Sequence, residues 1–159
     1  MNIRSAQETD LNQIYMMGFD VWSGNATVEE YLNSCRDSKK YSQGRWMILE
    51  KDGALLSSLI IYDLNREWAG IGSIATPKEL RRQGFAAELI SGVIKQLQSS
   101  SELSTVFLFS DINPAYYNRF GFEALEAKYQ SNSDAVLMGL SFTETPAWVA
   151  EDFIPPTYF

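Results

Sequence analysis

The sequence has no histidine and a single cysteine among its 159 residues. Without histidine, Ser-His-Asp and Cys-His catalysis and the H-E-x-x-H zinc site are excluded. One thiol, Cys35, builds neither a cysteine-rich zinc site nor an intrachain disulfide, and no metal is expected. Basic residues are also scarce: 13 Lys and Arg stand against 20 Asp and Glu, a net charge of −7. With only Lys39-Lys40 and Arg81-Arg82 as basic pairs, there is no stripe to follow a nucleic-acid backbone, so nucleic acid is not an expected partner. No apolar run approaches the roughly 18 residues of a membrane span, and Met1-Asn2-Ile3-Arg4-Ser5 lacks an apolar signal block. The expectation is a cytoplasmic protein with no membrane partner. The nucleoside-triphosphate loop G-x-x-x-x-G-K-S/T is missing too.

What is present is the composition of an ordinary globule, 45% hydrophobic and 21% charged, with a length that suits one domain. The chain is organised around Trp68 to Leu97. Trp68 to Thr76 is apolar and uncharged, as a strand buried on both faces would be, and Pro77 stops it. After Lys78-Glu79-Leu80, the turn Arg81-Arg82-Gln83-Gly84-Phe85-Ala86 opens a helix whose apolar positions Phe85, Leu89, Ile90, Val93, Ile94 and Leu97 recur at helical spacing. A helix start has backbone N–H groups without partners and a partial positive charge, so small residues there let a phosphate approach the backbone. Gly70-Ile71-Gly72-Ser73-Ile74-Ala75 matches the loose dinucleotide pattern G-x-G-x-x-G/A, but it lies inside the strand rather than between strand and helix. It is read as a chance match.

Elsewhere the pattern predicts a strand over 2–5, a helix around Thr9 to Gly18 with Leu11, Ile14, Tyr15 and Met17 inward, and a loop over 19–26. Thr27-Val28-Glu29-Glu30 is a capping box that starts a helix to about Arg36, with Val28, Tyr31, Leu32 and Cys35 on one face. That spacing reads Cys35 as a packed thiol. Trp46–Glu50 and Ala54–Tyr62 are strands joined by the hairpin signal Lys51-Asp52-Gly53, and Asn65-Arg66-Glu67 turns into the central strand. The helix over 84–98 ends at Ser99-Ser100-Ser101. A strand over 104–110, a short helix over 114–120 and strands near 121–128 and 134–142 complete an α+β sandwich. The tail, 143–159, has three prolines but also Trp148, Val149, Phe153, Ile154, Tyr158 and Phe159, too apolar for a solvated linker. It is expected to pack on residues 1–142 or on a dimer partner.

The turn resembles the acyl-coenzyme A motif of the GNAT superfamily of N-acetyltransferases, Arg/Gln-x-x-Gly-x-Gly/Ala between a strand and a helix, with Arg81, Gly84 and Ala86 in its three positions. The segment from Thr105 to Phe122 is similar to the superfamily's next segment, with Asn113, Ala115, Tyr117 and a terminal Gly121-Phe122. The resemblance implies a mixed, mostly antiparallel central sheet of six to seven strands flanked by about four helices, in one domain over 1–142. It also implies acetyl-CoA as co-substrate and direct transfer of its acetyl group to a primary amine of a small molecule or peptide, by a monomer or homodimer. The alternative is a non-catalytic CoA-binding or protein-interaction domain of the same fold.

By the same resemblance, the backbone of Ile74, Ala75 and Thr76 holds the pantetheine arm, and Arg81, Arg82, Gln83, Gly84, Phe85, Ala86 and Ala87 form the pyrophosphate turn. Asn113 bonds the pantetheine, Tyr117 protonates the leaving sulfur, and Phe19 and Trp22 lie where an acceptor pocket would be. Residues 68–76 contain no acid to serve as base; Asp63, Glu67 and Asp111 are the nearest in sequence.

Overall fold

The computed structural model describes residues 1–100 and 102–159. Seven strands, β1 Asn2–Ser5, β2 Arg45–Lys51, β3 Ala54–Asp63, β4 Trp68–Ala75, β5 Thr105–Ser110, β6 Glu123–Ala124 and β7 Val136–Ser141, form a sheet in the order β1-β2-β3-β4-β5-β7-β6. β1–β2, β2–β3, β5–β7 and β6–β7 are antiparallel, and β4–β5 is parallel. Six helices are found among the described residues: α1 Leu11–Met16, α2 Phe19–Trp22, α3 Val28–Asp37, α4 Lys39–Gln43, α5 Phe85–Gln98 and α6 Ala115–Asn118. The mixed, mostly antiparallel α+β sheet is the one expected. The two helices beyond the expected four, α2 and α4, are short pieces with local causes. Ser38 caps α4 by accepting from the Tyr41 N–H at 3.2 Å, and the Trp22 N–H closes α2 onto the Gly18 carbonyl at 2.8 Å.

Two compact units make up the chain, residues 1–61 with 73–94, and residues 62–72 with 95–159. In the first, Asp52 (φ 51°) and Gly53 (φ 80°) both take positive φ, the requirement of the two-residue turn that joins β2 to β3. The capping box forms as predicted: Thr27 Oγ1 accepts from the Glu30 N–H at 3.2 Å, and Glu30 Oε2 accepts from the Thr27 N–H at 2.8 Å. Cys35 is buried, and burial pushes its thiol up, as suits a packed side chain. Val28, expected on the same face, is exposed; it is the first helical residue, one turn short of buried Tyr31. Along α5, Leu89, Ile90, Val93 and Leu97 are buried, the face that the spacing predicts. The serine run that follows includes Ser101, which lies outside the described residues.

The second unit is built on aromatic rings. Phe107 of β5 meets Trp68 (centroids 5.2 Å apart), Trp148 (6.2 Å) and Phe153 (6.1 Å), and Phe153 stands edge-on to Tyr129 at 5.0 Å. Phe109 meets Tyr158 and Phe159 at 5.1 and 5.2 Å. The tail therefore packs within its own unit. Two strand glycines make the space: a Cβ on Gly70 would lie 2.5 Å from the Phe159 ring, and one on Gly139 2.5 Å from the Trp148 ring. The strand expected near 121–128 shortens to Glu123–Ala124. Its would-be continuation is supplied by the side chain of Gln130, which donates to the Leu125 and Leu137 carbonyls and accepts from the Leu137 N–H at 2.8 Å.

Phe153→Ala should destabilise the protein by about 1.5–3 kcal/mol, the range for the burial of a large apolar side chain. An unchanged midpoint in urea unfolding would contradict this account of the tail.

Candidate functional site

The strand-turn-helix over 74–87 lies in the first unit. At the end of β4, Ser57 Oγ donates to the Ala75 carbonyl at 2.8 Å and shares a hydrogen bond with Thr76 Oγ1 at 3.1 Å. That buried serine in an apolar strand holds the place where the chain leaves the sheet. Pro77 begins a single tight turn over Lys78–Leu80, and the backbone then enters the left-handed region at Arg82 (φ 63°) and again at Gly84 (φ 85°). Left-handed backbone costs a residue such as arginine of order 1–3 kcal/mol, a strain that tends to collect at functional sites.

Gly84 marks the start of α5. Its carbonyl accepts from the Glu88 N–H at 3.0 Å, so the N–H groups of Phe85, Ala86 and Ala87 belong to the first turn, which has no intrahelical acceptors. A Cβ on Gly84 would meet nothing within 4 Å. Glycine is required here by its dihedral angle, and the space beside it is open. Arg82, Gln83 and Gly84 are exposed, and Arg82 makes no ion pair among the described residues. A row of amide donors, an open approach and a free guanidinium suit an anion with several oxygens.

Arg81 is engaged differently. Its Nη1 and Nη2 donate to the two carboxylate oxygens of Asp20 at 2.7 Å each, its Nε donates to the Thr76 carbonyl at 2.9 Å, and Nη2 also reaches the Met17 carbonyl at 3.3 Å. The guanidinium is held by the protein itself. The Arg81 hydrogen bonds keep the Asp20 carboxyl below the usual carboxylate range. Asp20 and Ser57 have no counterpart in the sequence reading. For Ser57 a signal existed, two serines interrupting an apolar strand; for Asp20, 61 residues from its partner, there was none. Beside Asp20, the Phe19 ring packs on Tyr31 at 5.3 Å, while Trp22 lies over Gly18 and is still 40% exposed.

Asn113 and Tyr117 lie in the second unit. Asn113 Oδ1 accepts from the Ala115 N–H at 3.0 Å, starting α6, and its amide nitrogen has no partner among the described residues. One turn on, Tyr117 is buried against Tyr116 (5.1 Å) and Phe122 (6.3 Å). Its hydroxyl has no hydrogen-bond partner among the described residues. Burial first, and then the negative charge of Asp111, push the phenol well above its ordinary value. Gly121 takes φ 96° to turn the chain before Phe122. The expected set therefore divides between the units, residues 74–87 in one and Asn113 with Tyr117 in the other. Glu67 and Asp111 are exposed. No cluster of three metal-ligating side chains occurs among the described residues, and no helix there is long and apolar enough to cross a membrane.

A strained amide-lined turn between a sheet strand and a long helix suits an anion in more than one fold, and a family comparison makes the class specific. The model of the acetyltransferase (GNAT) domain matches residues 2–125, and the chain belongs to that family. Among solved structures it is similar to a GNAT family acetyltransferase from Brucella melitensis in complex with acetyl-CoA, with 20% identity, coverage of 91% of this chain and 90% of that one, and a TM-score of 0.62. It is also similar to the GNAT family N-acetyltransferase YhbS from Escherichia coli in complex with CoA (19%, 90% and 82%, 0.68). An aminoglycoside 6′-N-acetyltransferase complexed with coenzyme A is a third (11%, 92% and 99%, 0.66). No curated protein matches in sequence.

The Arg81–Asp20 tie carries a pH signature. Asp20 is held below its unfolded value, so the contribution of the tie is present above about pH 4 and is lost as pH falls through the lower, folded value. The stability difference between the parent and Asp20→Asn in urea should shrink as pH falls below the ordinary carboxylate range; a difference that stays constant from neutral pH through acid unfolding would rule the pair out as its source.

Proposed function

We propose that the protein is a cytoplasmic N-acetyltransferase that moves the acetyl group of acetyl-CoA to a primary amine. The observation that carries the reading is the turn itself: left-handed backbone at Arg82 and Gly84, open space at the glycine, and the first-turn N–H groups of α5 without intrahelical acceptors. The pyrophosphate binds to the amides over Gly84–Ala87 with Arg82 adding charge, as phosphates do at helix N-termini. The backbone of Ile74, Ala75 and Thr76 pairs with the pantetheine as an added strand would, and the Asn113 amide donates to it.

In the reaction, the neutral amine attacks the thioester carbonyl carbon and forms a tetrahedral oxyanion. The C–S bond then breaks, and the thiolate takes a proton from the Tyr117 hydroxyl. The ammonium formed on the product nitrogen releases a proton to solvent, and solvent reprotonates Tyr117. The role is supported by a phenol that carries its proton at neutral pH and a hydroxyl with no hydrogen-bond partner among the described residues. No carboxylate base is needed when the attacking amine is already neutral. The net charge of −7 favours a cationic acceptor over an anionic one.

Gly84→Val should weaken coenzyme A binding more than Arg82→Ala, because a β-branched residue resists positive φ and occupies the open approach, whereas Arg82 supplies a solvent-screened charge. Equal affinities for Gly84→Val and the parent in calorimetry would refute the placement.

Thiol release from acetyl-CoA, assayed against small amines, polyamines, aminoglycosides, amino acids and peptides, tests the activity. With the best acceptor, Tyr117→Phe should lower kcat by about 10²-fold with little change in KM, and Tyr116→Phe should not. Because burial raises the phenol, the parent's kcat should show no alkaline decline from Tyr117 up to about pH 10. Parent-like turnover by both variants would remove Tyr117 from the mechanism.

A further inference from the structure

We propose that Arg81 acts as a positioning residue that couples coenzyme binding at the turn to the order of α2, through Asp20, rather than as a phosphate ligand. The inference rests on the coenzyme reading above. Four hydrogen bonds account for the guanidinium: two to the Asp20 carboxylate, one to the Thr76 carbonyl at the end of β4, and one to the Met17 carbonyl at the end of α1. Its planar fork suits the bidentate carboxylate, and two of the three remaining N–H donors point to backbone. Arg82, the next residue, carries the first positive φ of the turn. Any ordering of the turn by bound phosphate is therefore felt one residue away, where the Arg81 side chain already holds Asp20.

The receiving element is suited to such control. α2 is four residues long, too short for intrinsic helical stability, so its position depends on what holds it. The holds are the Phe19 contact with Tyr31, the Trp22 ring over Gly18, and the Arg81–Asp20 pair. The first two are local to residues 18–31; the third ties α2 to the coenzyme turn. Both members of the pair are about one-third exposed, 34% for Arg81 and 35% for Asp20, which limits its value for global stability while leaving its bidentate geometry intact. Val21 and Trp22 on α2 are exposed at 62% and 40%, a surface whose order the coenzyme would thereby set before an acceptor amine meets it.

The test is hydrogen exchange of the peptide covering residues 16–23, with and without coenzyme A, beside calorimetric affinity. In the parent, coenzyme A should slow exchange there by about tenfold, within the usual range of coupling between sites. Asp20→Ala should still bind coenzyme A, with Kd raised less than about tenfold, and lose the coenzyme-dependent slowing. Asp20→Glu, which keeps the carboxylate, should recover much of it. Equal coenzyme-dependent slowing in Asp20→Ala and the parent would overturn the proposal, as would a parent that binds coenzyme A without any change over 16–23. A parent that binds no coenzyme A would overturn the proposed function, and this inference with it.

Discussion

Between β4 and α5 the chain leaves a sheet, makes one tight turn and begins a helix, and it does so by entering left-handed backbone at Arg82 and Gly84. This constraint organises the first unit. The strand end is held by Ser57 on the Ala75 carbonyl and by Arg81 on the Thr76 carbonyl, so the turn starts from a fixed point. It ends on a helix anchored by the fully buried Leu89, Ile90 and Val93. A strained segment persists only when both flanks over-determine it, and here each flank is fastened by a different interaction, hydrogen bonds on one side and apolar burial on the other.

The second unit solves a different problem. Its central strands present small residues at Gly70 and Gly139, which alone would leave gaps in a core that includes Phe107. Rings from the tail fill them, Phe159 at Gly70 and Trp148 at Gly139, and edge-to-face contacts link Phe159 to Phe109 and Trp148 to Phe107, which itself stands edge-on to Trp68. The glycine pattern that mimics a dinucleotide fingerprint is thus a packing feature. A phosphate-binding glycine exposes backbone to a ligand; Gly70 is buried under an aromatic side chain.

The same distinction separates the two arginines of the turn. Adjacent in sequence, they have opposite environments: Arg82 is exposed without an ion pair among the described residues, while Arg81 donates four hydrogen bonds to Asp20 and two carbonyls. Charge composition treats them alike. Only the geometry of the fork, matched to a carboxylate on a distant segment, tells them apart.

Local order was legible from the residues alone. Periodicity located β4 and α5, the Thr27–Glu30 box marked the start of α3, Asp52-Gly53 marked the hairpin, and the glycine turn with its second segment pointed to the family that the chain belongs to. These features depend on neighbours within a few positions, where backbone hydrogen bonding and side-chain spacing act. The sequence could not reveal that Gln130 would replace a length of strand, that α2 would form, that Phe159 would seek Gly70, or that Asp20 would capture Arg81. Each of these joins a side chain to a partner that folding brings near, and such pairings follow from which surfaces are buried together rather than from any pattern along the chain.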